Sequence, residues 1–223
     1  MNKHKYIILI VAAALILAAG VFYISARNFS KQGSYIEVKG LSEKIVKSDI
    51  AIWSINFEVK SNDIDSMYTE IEKNISEITN FLVSAGFEDS EINVAPLNVY
   101  QDTYQGSLFR YNTIVSMSVY TTKVDLVKES SKKTRSLVKK GVVMTNNYID
   151  FQISDLNTIK PEMLADATKN GKISATEFAN NSQSELGEIV RANQGIFTIE
   201  DKDPGSPEYK KVRVVSTLRY LLN

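Results

Sequence analysis

The sequence predicts an α+β protein in which three helices pack on an antiparallel or mixed sheet, or sheets, preceded by one transmembrane helix. Three observations lead there. An uncharged apolar run opens the chain, strand-like alternation and helical stripes succeed one another after it, and the strand signals come mostly in adjacent pairs. Adjacent strands favour antiparallel hairpins with helices on one face, which is the α+β arrangement.

The apolar run is Tyr6–Ile24, YIILIVAAALILAAGVFYI, without charge or proline. At about 1.5 Å per residue it makes roughly 28 Å of helix, close to the hydrocarbon thickness of a bilayer. A cleaved signal peptide has a shorter apolar core, about 7–15 residues, ending in a small-x-small site. Here the candidate site at Ala26 is preceded by the bulky Ile24, so an uncleaved anchor is expected. Lys3 and Lys5 before the run are matched by Arg27 and Lys31 after it, which leaves little charge asymmetry. The short head favours an inside N-terminus. The expected organisation is a cytoplasmic head over 1–5, an anchor over 6–24, a linker over 25–34 and one α+β domain over 35–223. That makes a single-pass protein of the cell membrane with its large part outside the cytoplasm.

The chain has no cysteine, which excludes disulfides, thiol catalysis and cysteine metal sites. Setting aside Lys3, Lys5 and Arg27 leaves 23 basic residues against 26 acidic ones, a net of −3. Nucleic acid needs a strongly basic domain or face, so it is not an expected partner. A domain of this size buries roughly 70% of its unfolded surface and needs no staples.

The first strand signal is Tyr35–Gly40. In Asp49–Lys60, Ala51, Trp53, Ile55, Phe57 and Val59 alternate with polar neighbours, the period of a half-buried strand. A helix is expected from Asp63 to Ala85, where Ile64, Met67, Ile71, Ile75, Ile78 and Leu82 make one stripe. Asn62 or Asp63 can cap its start and Gly86 its end. Glu91–Tyr104 is a weaker strand, and Phe109–Val119 a strong one. A second helix is expected over Val124–Lys140, then a strand through Ile149, Phe151 and Ile153. The third helix begins near Pro161, which suits a first helical turn, and runs to about Glu185. Its expected inner face is small: Ala167, Gly171, Ser174 or Ala175, and Ala179. Small residues let a helix axis approach its neighbour closely, a reason to accept the roughly 1 kcal/mol of propensity lost at Gly171. A strand over Glu188–Glu200, with a bulge at Gly195, precedes the last strand through Val212, Val214, Ser216, Leu218, Tyr220 and Leu222. Asp201–Lys210 is the turn of this last hairpin.

Several segments resemble the SIMPL domain family of bacterial envelope proteins. IEVKG (Ile36–Gly40) precedes Asp49-Ile-Ala-Ile-Trp, where the family often has Pro-Asp-x-Ala; Ser48 stands in place of that proline. FLVSAGFEDSEINVAPLNVY (Phe81–Tyr100), FRYNTIVSMSVYTTKVDLV (Phe109–Val127), GVVMTNNYIDFQISD (Gly141–Asp155) and ADATKNGKISATEFANNSQSELGEIV (Ala165–Val190) follow in the family's order. The resemblance implies a secreted or membrane-anchored protein with no defined catalytic residues. It also implies links to envelope or oxidative stress and, in some members, assembly into large rings. It carries no functional residue onto this chain.

The residues themselves offer four candidates. The second helix is basic, with Lys128, Lys132, Lys133, Arg135, Lys139 and Lys140 against Asp125 and Glu129. It could meet anionic lipid or an acidic wall polymer, though charge runs are usually solvated faces. Ser130-Ser-Lys-Lys133 and Ser136-Leu-Val-Lys139 fit Ser-x-x-Lys, but the Ser-Asp-Asn and Lys-Thr-Gly partners of penicillin-binding chemistry are absent. Glu200, Asp201 and Asp203 lack the spacing of a calcium loop and read as a polar turn, as do Glu88, Asp89 and Glu91. Tyr100, Tyr104, Phe109, Tyr111 and Tyr120 surround one expected hairpin, where cross-strand packing is the favoured reading over an exposed assembly or ligand surface. The only histidine, His4, lies in the head.

No catalytic, cofactor-binding or metal-ligating set is therefore predicted. The leading expectation is a non-catalytic tethered envelope protein that self-associates into a homo-oligomer. The alternative is a tethered module that binds a small molecule, lipid or wall component, and a serine hydrolase ranks last.

Overall fold

A computed structural model describes residues 34–104 and 106–223. The expected head, anchor and nearly all of the linker, with His4, lie outside them. Among the described residues no helix is long and apolar enough to cross a membrane.

The fold is α+β, with two antiparallel sheets and three helices, the second of them broken. In chain order the elements are β1 (Tyr35–Lys47), β2 (Ile50–Ser61), α1 (Ile64–Ala85), β3 (Ile92–Val94), β4 (Tyr100–Gln101) and β5 (Tyr111–Thr121). Then come α2 (Val124–Ser131), α3 (Arg135–Lys139), β6 (Met144–Gln152), α4 (Lys160–Asn181), β7 (Leu186–Gln194), β8 (Thr198–Asp201) and β9 (Tyr209–Leu222). One sheet has the order β1-β9-β7 with β8 also on β9, and the other β3-β5-β2-β6 with β4 also on β5.

The expected hairpin of β1 with β2 does not form, because the two strands join different sheets. Only Ser48 and Asp49 separate them, and their amides choose different partners. Ser48 N donates to the Glu208 carbonyl at 2.8 Å, and Asp49 N to the Gln152 carbonyl at 3.1 Å. The Asp49 carboxylate then fixes the new direction by accepting from Ser154 N at 2.7 Å.

The chain divides into two compact units. One comprises Lys44–Ile159 with Ile199–Val212. Its core is the inner face of β2, where Trp53, Ile55 and Phe57 stand opposite Val119, Met117 and Val115 of β5. Met67, Ile71, Ile78 and Leu82 of α1 cover that face. Helix α1 starts as expected, with the Asp63 carboxylate accepting from Ser66 N, and ends at Gly86 in a left-handed conformation, φ 109°. Its buried stripe differs at two places. Ile64 is exposed, and Asn74 is buried where Ile75 is only partly so.

The expected second helix breaks between Ser131 and Arg135. Hydroxyls there compete for backbone carbonyls: Ser131 Oγ donates to Lys128 O, and Thr134 Oγ1 to Ser131 O, both at 2.9 Å. Thr134 Oγ1 also accepts from Asn147 Nδ2 at 3.2 Å, and Asn147 Oδ1 accepts from Trp53 Nε1 at 2.7 Å. The break thus completes a polar chain that satisfies the buried indole N–H.

The other unit comprises 34–43 of the described chain, Lys160–Thr198 and Arg213–Asn223. Helix α4 buries Met163, Ala167, Gly171, Ala175 and Ala179, a stripe at steps of four. This settles the Ser174-or-Ala175 alternative on Ala175. The stripe lies against β1 so closely that a Cβ on Gly40 would be 1.8 Å from the Ala167 carbonyl oxygen. A Cβ on Gly171 would meet Leu218 Cδ1 at 2.6 Å. Helix α4 stops at Asn181, short of the expected Glu185, and Gln183 takes a left-handed φ of 55°. Gly195 is no bulge. It directly follows β7, and its N–H donates to Val215 O at 2.9 Å, while the register shifts lie between Leu186 and Arg191. The expected strand over 188–200 is accordingly two strands, β7 and β8.

Candidate functional site

The six cations of the basic segment α2–α3 do not behave alike. Lys128 pairs with Glu208, Lys132 with Glu129 at 2.7 Å, and Lys140 with Glu77 at 2.6 Å. Asp125 is held by Lys47 at 2.7 Å. Glu208 is buried, and one of its carboxylate oxygens has no protein partner among the described residues. Burial pushes the Glu208 carboxyl up, but the hydrogen bond and charge of Lys128 outweigh this and hold it below the ordinary carboxylate range.

A carboxyl lowered in the folded state stabilises the fold above its unfolded value, about 4.3, and that contribution fades as pH falls through the folded value. Breaking a buried pair costs about 3–5 kcal/mol, but the Lys128 side chain is 36% exposed and water screens it. Lys128→Met should therefore lower the stability at neutral pH, because it leaves the buried Glu208 carboxylate without its cation. The gap between the two chains should narrow in acid, as read from denaturant midpoints. A gap that stays constant across pH would assign the loss to the packing of the lysine stem.

The structure does not assemble the other charged or nucleophilic candidates into a catalytic set. Ser130 is buried while Lys133 is exposed, and Ser136 Oγ donates to the Lys133 carbonyl at 2.9 Å. No hydrogen bond joins either serine to a lysine ammonium among the described residues. Asp201 holds Lys210, and Asp203 Oδ1 accepts from Gly205 N at 2.8 Å, so both serve the turn. Among the described residues no group of three or more acidic, histidine or cysteine side chains could hold a metal. Glu88, Asp89 and Glu91 form a short 3-10 turn. Glu91 accepts from Thr121 Oγ1 at 2.5 Å and from Lys123 Nζ at 2.9 Å.

The aromatic hairpin departs most from expectation. Tyr111 packs on the core, but Tyr100, Phe109 and Tyr120 are exposed, and Tyr104 and Leu108 are 77% and 84% exposed. No ring pair links these five aromatics among the described residues. The favoured reading, cross-strand packing, is corrected for all but Tyr111. For Tyr100, Tyr104 and Phe109 the reason lies in the strands: β3 and β4 have only three and two residues, so the chain between them and β5 has little sheet to lie on. Tyr120, opposite Ile52, is on the face of β5 opposite the buried Val119 and Thr121.

The backbone of this segment is nonetheless held. Ala95 N donates to Ser116 O at 2.9 Å, Thr113 Oγ1 to Asn98 O at 2.7 Å, and Asp102 N to Arg110 O at 2.8 Å. Asn62, just before α1, accepts from Arg110 N at 2.8 Å and donates to Leu108 O at 3.2 Å. Leu97 and Val99, between β3 and β4, are exposed as well, and the exposed apolar side chains of this segment form a crest in sequence. At its foot a cleft of about 390 Å³ is lined by Glu58, Lys60, Asp102, Leu108, Phe109 and Asn112. Lys60 and Glu58, two apart on the same side of β2, pair at 2.9 Å.

Two antiparallel sheets with three helices define the class, an α+β protein, here with exposed apolar side chains around β4 and the start of β5. The family sequence model named SIMPL, described as "Protein of unknown function (DUF541)", matches residues 36–216, and the chain belongs to that family. No curated protein matches the chain.

Proposed function

We propose that this is a non-catalytic, membrane-anchored extracytoplasmic protein that self-associates, with a role in envelope or oxidative stress. The apolar run Tyr6–Ile24 supports the anchor, and family membership is compatible with the setting. The observation that carries self-association is the crest. Monomers rarely leave a contiguous apolar patch open, and large exposed ones mark interaction sites. Here Tyr100, Tyr104, Leu108 and Phe109 are exposed on a segment whose backbone Asn62 holds at Leu108 and Arg110 and whose Asp102 N donates to Arg110 O, which favours an ordered surface before any partner arrives. An ordered surface loses less entropy on association. Anchoring in a membrane would add to this by raising the local concentration of copies.

The test is the mass of the full chain in detergent by light scattering. A discrete oligomer is expected, and Tyr104→Ser with Leu108→Ser should convert it to monomer without moving the thermal melt. A monomeric parent chain would remove this reading. It would favour a tethered binding module, for which the cleft at Glu58 and Lys60 is the place to look.

A further inference from the structure

Among the described residues, Arg135 and Lys139 of α3 make no ion pair, and Lys133 makes no close one but shares the charge of Glu129 with Lys132; all three are exposed. On α3, Arg135, Val138 and Lys139 are spaced three and four residues apart and share one side of the helix. The opposite side carries Leu137, which is fully buried in the core. The acidic groups nearest in the ion-pair pattern, Glu77 and Glu129, are already engaged by Lys140 and Lys132. After α3 the chain reverses at Gly141, which has a left-handed φ of 94°. That reversal sends Val142 into the core and leaves Val143 60% exposed, with Val138 56% exposed. The result is an open Val138 between Arg135 and Lys139 on α3, with an open Val143 two residues past the reversal.

We infer that this face docks on the surface of a bilayer containing anionic phospholipid. Cations near such a surface contribute about 1 kcal/mol each, and exposed apolar side chains beside them enter the headgroup boundary. A soluble acidic polymer would use the cations but has no apolar layer for Val138 and Val143. The inference goes beyond self-association and does not depend on the anchor, because the face would meet vesicles whether the chain is embedded in them or added to them.

The absence of cysteine makes the test clean. The full chain carrying Val143→Cys is labelled with an environment-sensitive dye. It is then mixed with, or reconstituted into, vesicles of phosphatidylcholine with or without phosphatidylglycerol. With phosphatidylglycerol the emission should shift to the blue and be quenched by brominated lipid, and high salt should reverse both. Removing one cation, as in Lys139→Ala, should weaken the response about fivefold. Arg135→Glu with Lys139→Glu should abolish it while leaving the thermal melt in place, since both side chains are exposed and neither makes an ion pair among the described residues. An equal signal on pure phosphatidylcholine, a signal indifferent to charge reversal, or a shift caused only by a soluble polyanion would each overturn the inference.

Discussion

Replacing Gly40 with alanine should destabilise the protein by about 3 kcal/mol or more and lower its melting temperature by about 10 °C. The added methyl would sit 1.8 Å from the Ala167 carbonyl oxygen and 2.6 Å from the Gly171 amide nitrogen. Both are backbone atoms of α4, so no rotamer change relieves the clash, and the helix must move off β1. Gly171→Ala is the control. Its methyl would meet Leu218 Cδ1 at 2.6 Å, the far end of a buried side chain, and the Gly40 backbone only at 3.3 Å and beyond. Alanine also recovers about 1 kcal/mol of helix propensity there. The second variant should therefore be clearly the milder. Melts followed by far-ultraviolet circular dichroism decide it, and a Gly40→Ala melt within about 2 °C of the parent would refute the close approach.

Trp53 should be the other costly position. Its side chain is fully buried, with edge-on contacts to Phe81 and Phe87 at centroid distances of 6.4 and 6.2 Å. Trp53→Ala opens a large cavity under α1 and should cost about 3–5 kcal/mol. Trp53→Phe keeps much of the ring but removes the N–H that reaches Asn147 Oδ1. Asn147 is exposed, so water can replace the indole donor and the lost hydrogen bond should cost about 0.5–1.5 kcal/mol. Urea midpoints read by circular dichroism give both numbers. If Trp53→Phe unfolds at the parent's midpoint, the chain from Trp53 through Asn147 to Thr134 contributes nothing, and the break between α2 and α3 needs another cause. Trp53 is the only tryptophan, so its fluorescence in the unaltered chain reports on that core alone.

Much of the fold is legible in the order of the residues. The start of α1 follows from Asp63 and its end from Gly86, since each acts through its own backbone within one helical turn. The buried stripe of α4 follows from small residues at steps of four. The inner face of β2 follows from strict alternation. The departures have a common origin. Nothing local shows that Ser48 and Asp49 turn to Glu208 and Gln152 rather than letting β2 fold back on β1. Nothing local shows that Thr134 will accept from Asn147, or that Gln183, lacking glycine's freedom, adopts a left-handed conformation just past the end of α4.

The candidate surfaces divide in the same way. That aromatics gather between Tyr100 and Tyr120 is visible in the sequence, but alternation says only that side chains share a face. Whether something covers that face depends on how short β3 and β4 turn out to be. That α2–α3 is basic is equally visible. Which cations remain free depends on carboxylates far along the chain, such as Glu208 for Lys128 and Glu77 for Lys140, 80 and 63 residues away.

Composition and sterics reaching a few residues thus suffice for the α+β class, the helix caps, the close-packing stripe, the apolar N-terminal run and the absence of thiol chemistry. They do not say which sheet each strand joins, which aromatics stay open or which cations go unneutralised. Each of those was decided in three dimensions, by hydrogen bonds and ion pairs that exist only once distant segments have been brought together.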